Sequence, residues 1–194
     1  MKNFEVYIED RFENSSLEFF IDSKQLKIFL NKGTSFGSNH DTTLFAIEAI
    51  KYVYEKIGPV NNCLDLGSGS GILSILLSKL NYLNIYSCEN DPHAIEESLL
   101  NFKSNLNNDF PKFIKEPFQK NDFYNLIVSN ISGGFIPNNI NNFSLSLKKG
   151  GFLIVSGFNL EKKIQIIDVS MKNNLKFVKS FENKPWISII FQKS

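Results

Sequence analysis

Asp65-Leu66-Gly67-Ser68-Gly69-Ser70-Gly71 places one acid and three glycines at alternate positions, directly after the apolar run that begins at Cys63. Ile72 to Leu80 then reads as an amphipathic helix, so the stretch is strand, tight loop and helix, the first unit of a nucleotide-binding α/β sheet. Glycine lets such a loop turn sharply and lets its backbone lie against a ligand. A dinucleotide fingerprint, G-x-G-x-x-G, needs a third glycine at position 72, where this chain has Ile72. The observed spacing suits a smaller ligand without a phosphate. About 20 residues on, Glu89 closes a second apolar strand, the position from which a carboxylate accepts hydrogen bonds from both hydroxyls of a ribose. Asp91 stands two residues later, as a second acid at the site or as the cap of the helix that begins at His93.

Two further groups could do chemistry. Asn130 ends the apolar strand Leu126-Ile127-Val128 and precedes Ser132-Gly133-Gly134, at the carboxyl edge of a central strand, where α/β sheets bind ligands. It handles the substrate, or it forms a turn. His40-Asp41-Thr42-Thr43 opens a helix that runs from Leu44 to about Ile57. Thr42 or Thr43 can cap that helix, and hydroxyls at a helix N-terminus can hold a carboxylate. His40 is a base or a structural residue; the other histidine, His93, falls on a different helix.

The elements that must position these groups follow from periodicity. Residues 4 to 30 alternate apolar and polar, with turns at Asn14-Ser15-Ser16 and Asp22-Ser23-Lys24, and predict a small hairpin or meander. After the second helix come a short strand at Phe113-Ile114, the Leu126–Val128 strand and a helix over 136–147. That helix is expected to stop at Lys148-Lys149-Gly150-Gly151 with a glycine cap. Phe152–Val155, a helix over 160–173, Lys176–Phe181 and Trp186–Phe191 complete the pattern. The last two strands are joined by Asn183-Lys184-Pro185, too short for a crossover helix, so they pair antiparallel.

Bulk properties narrow the class. The 194 residues fit one domain, read as an N-terminal β extension over 1–32 and a core over 33–194. Net charge is +1 and Arg11 is the only arginine, so nothing advertises a nucleic-acid partner. No apolar run is long enough for a membrane span and the start carries no signal-peptide pattern, so the expected location is cytoplasmic. Cys63 and Cys88 lie at the ends of apolar runs and read as reduced core residues. No metal site is expected.

The glycine loop resembles motif I of the class I S-adenosylmethionine-dependent methyltransferases, and the whole chain resembles the PrmA group of ribosomal protein methyltransferases. The resemblance is carried by Phe36-Gly37-Ser38-Asn39-His40-Asp41-Thr42-Thr43, Asp65 through Leu73, Glu89 through Ala94, Ser129-Asn130-Ile131 and Leu147 through Gly151, and it covers about residues 26 to 194. It implies a Rossmann-like seven-stranded mixed sheet in the order 3-2-1-4-5-7-6, last strand antiparallel, with helices on both faces. It implies S-adenosylmethionine as cofactor, bound by Asp65, Gly67, Gly69, Gly71, Glu89 and Asp91, with Thr42 and Thr43 at its amino-acid end. Phe118 stacks on the purine or is a core aromatic. Asn130 and His40 are the implied catalytic residues, Asn130 accepting hydrogen bonds from an acceptor amine. The implied acceptor is a lysine or N-terminal amine of a protein, possible examples being ribosomal proteins. Two departures stand out: the Phe36 loop is one residue shorter than the family pattern, and nothing before it matches the family's N-terminal substrate-recognition domain. A small-molecule or lipid methyltransferase and a non-catalytic binding module therefore stay open. A nucleic-acid acceptor is not expected, because Asn130 is followed by Ile131-Ser132-Gly133 rather than two prolines and an aromatic.

Overall fold

The computed structural model describes residues 7–11, 14–21, 24–31, 40–132 and 134–194. Strands β1 (Tyr7–Arg11), β2 (Asn14–Ile21) and β3 (Lys24–Asn31) form the antiparallel meander. The large sheet follows: α1 (Asp41–Ile57), β4 (Asn61–Leu66), α2 (Ile72–Lys79), β5 (Leu83–Cys88), α3 (Pro92–Asn105), β6 (Lys112–Phe113) and β7 (Tyr124–Asn130). It is completed by α4 (Phe135–Ser146), β8 (Leu147–Asn159), α5 (Lys163–Lys172), β9 (Leu175–Asn183) and β10 (Trp186–Lys193). The strand order is β6-β5-β4-β7-β8-β10-β9, which counted from β4 is the expected 3-2-1-4-5-7-6. Strand β10 runs antiparallel to both β8 and β9, while the other pairings are parallel.

Both faces of this sheet are covered, and its central strands are apolar on both sides, as burial on two faces requires. On one face Cys63, Leu126, Val128 and Ile154 pack against α1, α2 and α3 together with Ile28 and Leu30 of β3. On the other, Leu64, Ile127, Leu153 and Val155 pack against Ile136, Ile140 and Phe143 of α4 and Ile166 of α5. The period-two alternation along each strand sends neighbouring residues to opposite cores. Burying one such side chain contributes about 2 kcal/mol.

Two element boundaries differ from the sequence reading. Helix α4 ends at Ser146, and Lys148 to Gly151 lie inside β8. Pairing explains this: Leu147 already faces Tyr124 in the ladder, and Phe152 next faces Leu126, so the glycines sit in an irregular stretch of strand rather than at a helix end. Helix α1 is capped by His40, whose Nδ1 accepts from the Thr42 amide, rather than by either threonine hydroxyl.

Helix α3 rests directly on the start of α2. Gly71 has φ +79°, and a Cβ there would lie 2.6 Å from Phe102 Cε1 and 2.9 Å from Ser98 Cβ. The third glycine thus makes room for helix packing. Gly71→Ala combines left-handed strain with overpacking and is expected to lower unfolding free energy by about 3 kcal/mol in urea titration. A loss below about 1 kcal/mol would contradict the packing role.

Candidate active site

The carboxyl ends of β4, β5, β7 and β8 open onto a crevice of about 690 Å³, closed on one side by the N-terminus of α1. His40, Thr42, Gly67, Glu89, Asn130 and Trp186 are among its lining residues. The glycine loop is hung from β5: the amides of Gly67 and Ser68 both donate to Cys88 O, at 2.8 and 3.2 Å. Glu89 then ties this loop to the next one. Its Oε2 accepts from the Gly69 amide at 3.0 Å, and its Oε1 accepts from the amides of Asn90 (2.7 Å) and Asp91 (3.1 Å). Asp91 lines the crevice but spends Oδ1 on the His93 amide, as the N-cap of α3.

At the end of β7, Asn130 Nδ2 donates to Thr43 Oγ1 at 3.0 Å. That bond turns Oδ1 away from Thr43, and Oδ1 is buried without a hydrogen-bond partner among the described residues. The next residue, Ile131, fits between two glycines. A Cβ on Gly67 would strike the Ile131 side chain, and one on Gly157 would lie 2.5 Å from the Ile131 carbonyl oxygen. Gly69, with nothing within 4 Å of its Cβ position, lines the crevice together with Gly67. Strand β8 also fixes α1, through Ser156 Oγ donating to Thr42 O at 2.7 Å.

His40 lines the crevice and spends one ring nitrogen at the start of α1. Its Nδ1 accepts from the Thr42 amide at 3.3 Å and lies 2.9 Å from Thr42 Oγ1. The ring also meets Trp186 edge-on, centroids 4.7 Å apart. Phe118 packs edge-on against Phe143 at 5.4 Å, beside the second core, and does not line the crevice. Thr43 likewise acts from behind, through Asn130. Residues Phe36 to Asn39 lie outside the described residues. Trp186 and Phe135 line the crevice without having been singled out by sequence. Trp186 is the only tryptophan of the chain and opens β10 after the hairpin turn, which is the one signal that marks it.

Asp65 sits beneath the loop rather than in the crevice. It is 1% exposed, and its Oδ2 accepts from the Ser74 amide (2.9 Å) and the Ser74 hydroxyl (2.7 Å). Gly71 has no side chain with which to cap α2, so Asp65 supplies the acceptor from the preceding strand. Burial pushes its carboxyl up to about 6 from an ordinary 3.8; the Ser74 bonds hold it down and the nearby Glu89 charge raises it further. The folded state therefore retains a proton that the unfolded chain releases. The stability this contributes is complete below the ordinary value and is lost as pH rises through the folded one. Between pH 4 and 7 the wild type is expected to lose about 2 kcal/mol relative to Asp65→Asn, read from urea midpoints at each pH. Parallel profiles would contradict it.

Relatives agree with this architecture. A ribosomal protein L11 methyltransferase of Oceanobacillus iheyensis is 32% identical over 178 residues, covering 89% of this chain and 55% of that protein. The crystal structure of a ribosomal protein L11 methylase from Lactobacillus delbrueckii subsp. bulgaricus superposes with a TM-score of 0.72 at 24% identity, covering 81% of this chain and 82% of that one. A T. thermophilus 16S rRNA methyltransferase in complex with AdoMet and guanosine shares the fold at a TM-score of 0.68 and 17% identity, over 95% of this chain and 52% of that one. The chain spans about half the length of the curated relatives it matches. The family model described as ribosomal protein L11 methyltransferase (PrmA) matches residues 7–194, and the chain belongs to that family.

Proposed function

We propose that the crevice binds S-adenosylmethionine and directs its methyl group to an amine of a protein, a lysine or an N-terminal amine, with a ribosomal protein as the acceptor. The observation that carries this reading is Asn130 Oδ1, a buried acceptor without a partner among the described residues, at the carboxyl end of a central strand.

The residues fit that cofactor. A crevice of about 690 Å³ is of the size that holds small-molecule ligands. Gly67 and Gly69 line it beside Glu89. The Glu89 carboxylate accepts three amides and, with room for about four acceptor contacts, keeps capacity for a ribose hydroxyl. The positive end of α1, at His40 and Thr42, suits the carboxylate of an amino-acid moiety.

When bound, the sulfonium supplies an electrophilic methyl group and a neutral thioether leaving group. The protein then has to align an amine behind that methyl. Thr43 fixes the Asn130 carboxamide so that Oδ1 receives an amine N–H and aims the nitrogen lone pair. Only a neutral amine attacks, and a lysine is neutral in about one molecule per thousand at pH 7.4. With His40 Nδ1 engaged in capping, deprotonation precedes attack, and the proton leaves to solvent. Ile28 and Leu30 of the meander share a core with α1 and α2, which supports reading the meander and the large sheet as one unit. A ribosomal-protein acceptor also agrees with a cytoplasmic setting; among the described residues no helix is long and apolar enough to cross a membrane.

Asn130→Ala is expected to slow labelled methyl transfer to ribosomal proteins by about 100-fold while leaving S-adenosylmethionine affinity within about twofold. Full activity in that variant would remove the proposal's central residue. For a lysine acceptor the logarithm of the rate should rise with a slope near one from about pH 7 to 9. A flat profile would exclude a lysine whose deprotonation precedes attack.

A further inference from the structure

Asn101 lies on α3, outside the crevice, and is fully buried. A carboxamide is a poor choice for a buried helix position unless its polar atoms are all used. Here both ends are. Nδ2 donates to Ser70 O at 2.9 Å, between the second and third glycines of the loop. Oδ1 accepts from Asn31 N at 2.8 Å and Asn31 Nδ2 at 3.0 Å. Asn31 is the last residue of β3, and the chain runs from it to His40 and Thr42 at the crevice. One side chain thus links the glycine loop to the end of β3.

One turn on, Asn105 supplies an internal comparison. Its Oδ1 accepts from the Phe29 amide at 2.8 Å and its Nδ2 donates to Phe29 O at 2.6 Å. It therefore holds the same strand edge as Asn101 but makes no bond to the glycine loop.

We infer that Asn101 is a positioning residue: its carboxamide keeps the glycine loop in register with β3, and so couples cofactor binding to the N-terminal meander. The inference rests on the S-adenosylmethionine reading. Coupling of this kind is reciprocal, so a ligand that orders the loop must also protect the β3 edge. Asn101→Asp keeps an acceptor for Asn31 but sets a carboxylate oxygen against the Ser70 carbonyl; Asn101→Ser removes both reaches.

The test combines calorimetry with S-adenosylmethionine and amide hydrogen exchange. Both Asn101 variants are expected to bind about tenfold more weakly. Asn105→Ala should speed exchange at Phe29 yet bind within about twofold of wild type, because the loop contact survives. In the wild type, added S-adenosylmethionine should slow exchange of the Asn31 amide, a measurement that needs no variant to fold. Wild-type affinity in the Asn101 variants, or an Asn31 amide indifferent to the cofactor, overturns the inference. A wild type that takes up no S-adenosylmethionine refutes the cofactor reading instead. The loop contact is then decided without ligand: faster exchange at Gly71 in Asn101→Ser supports it, and unchanged exchange overturns it.

Discussion

The hydrogen bond from Asn130 to Thr43 determines which end of a carboxamide is available where the central strands open. With Nδ2 held by the helix, Oδ1 has no partner among the described residues, and a buried acceptor in that state costs about 1–3 kcal/mol. A group that brings an N–H to it recovers that cost. Much of the surrounding structure keeps this geometry in place: Ser156 holds the start of α1, and Ile131 is pinned between Gly67 and Gly157. An end-of-strand residue is thereby fixed by neighbours from α1, β4 and β8, the rigid support that a positioning group requires.

The glycine loop divides its work in a way that its regular spacing conceals. Gly67 makes room for Ile131 and Gly71 makes room for α3, while nothing stands within 4 Å of the Gly69 Cβ position. The motif acid is likewise structural in its contacts, since Asp65 caps α2 from below. Glu89 has both characters. It staples two loops through three amides and still faces the crevice. The same few residues therefore build the fold and line the crevice, and substitutions at Glu89 loosen both loops at once.

The elements and the antiparallel pairing of the last two strands were legible because they follow from local signals: apolar runs of two-sided burial, helical periods between them, and a hairpin turn too short to cross over. The strand order came with the family resemblance. The crevice followed, since ligands in such sheets lie at the carboxyl ends of the strands. What sequence could not show was direction. Nothing in Asp65 says that its carboxylate points down to Ser74, and nothing in His40 says that Nδ1 is used by a backbone amide. The Gly150-Gly151 pair looked like a helix stop because the ladder between β7 and β8 that overrides it is a long-range contact. The edge-on contact of Phe118 with Phe143 of α4 is likewise a long-range contact that no local signal marks.

Methyl-labelled S-adenosylmethionine, incubated with the protein and a size-fractionated lysate, tests the central claim most directly. Label should enter protein, in a ribosomal protein and as a methylated amine, and the transfer should vanish when the protein is left out. Label confined to RNA or to small molecules, or no transfer in any fraction, would contradict the assignment of a protein amine as the acceptor.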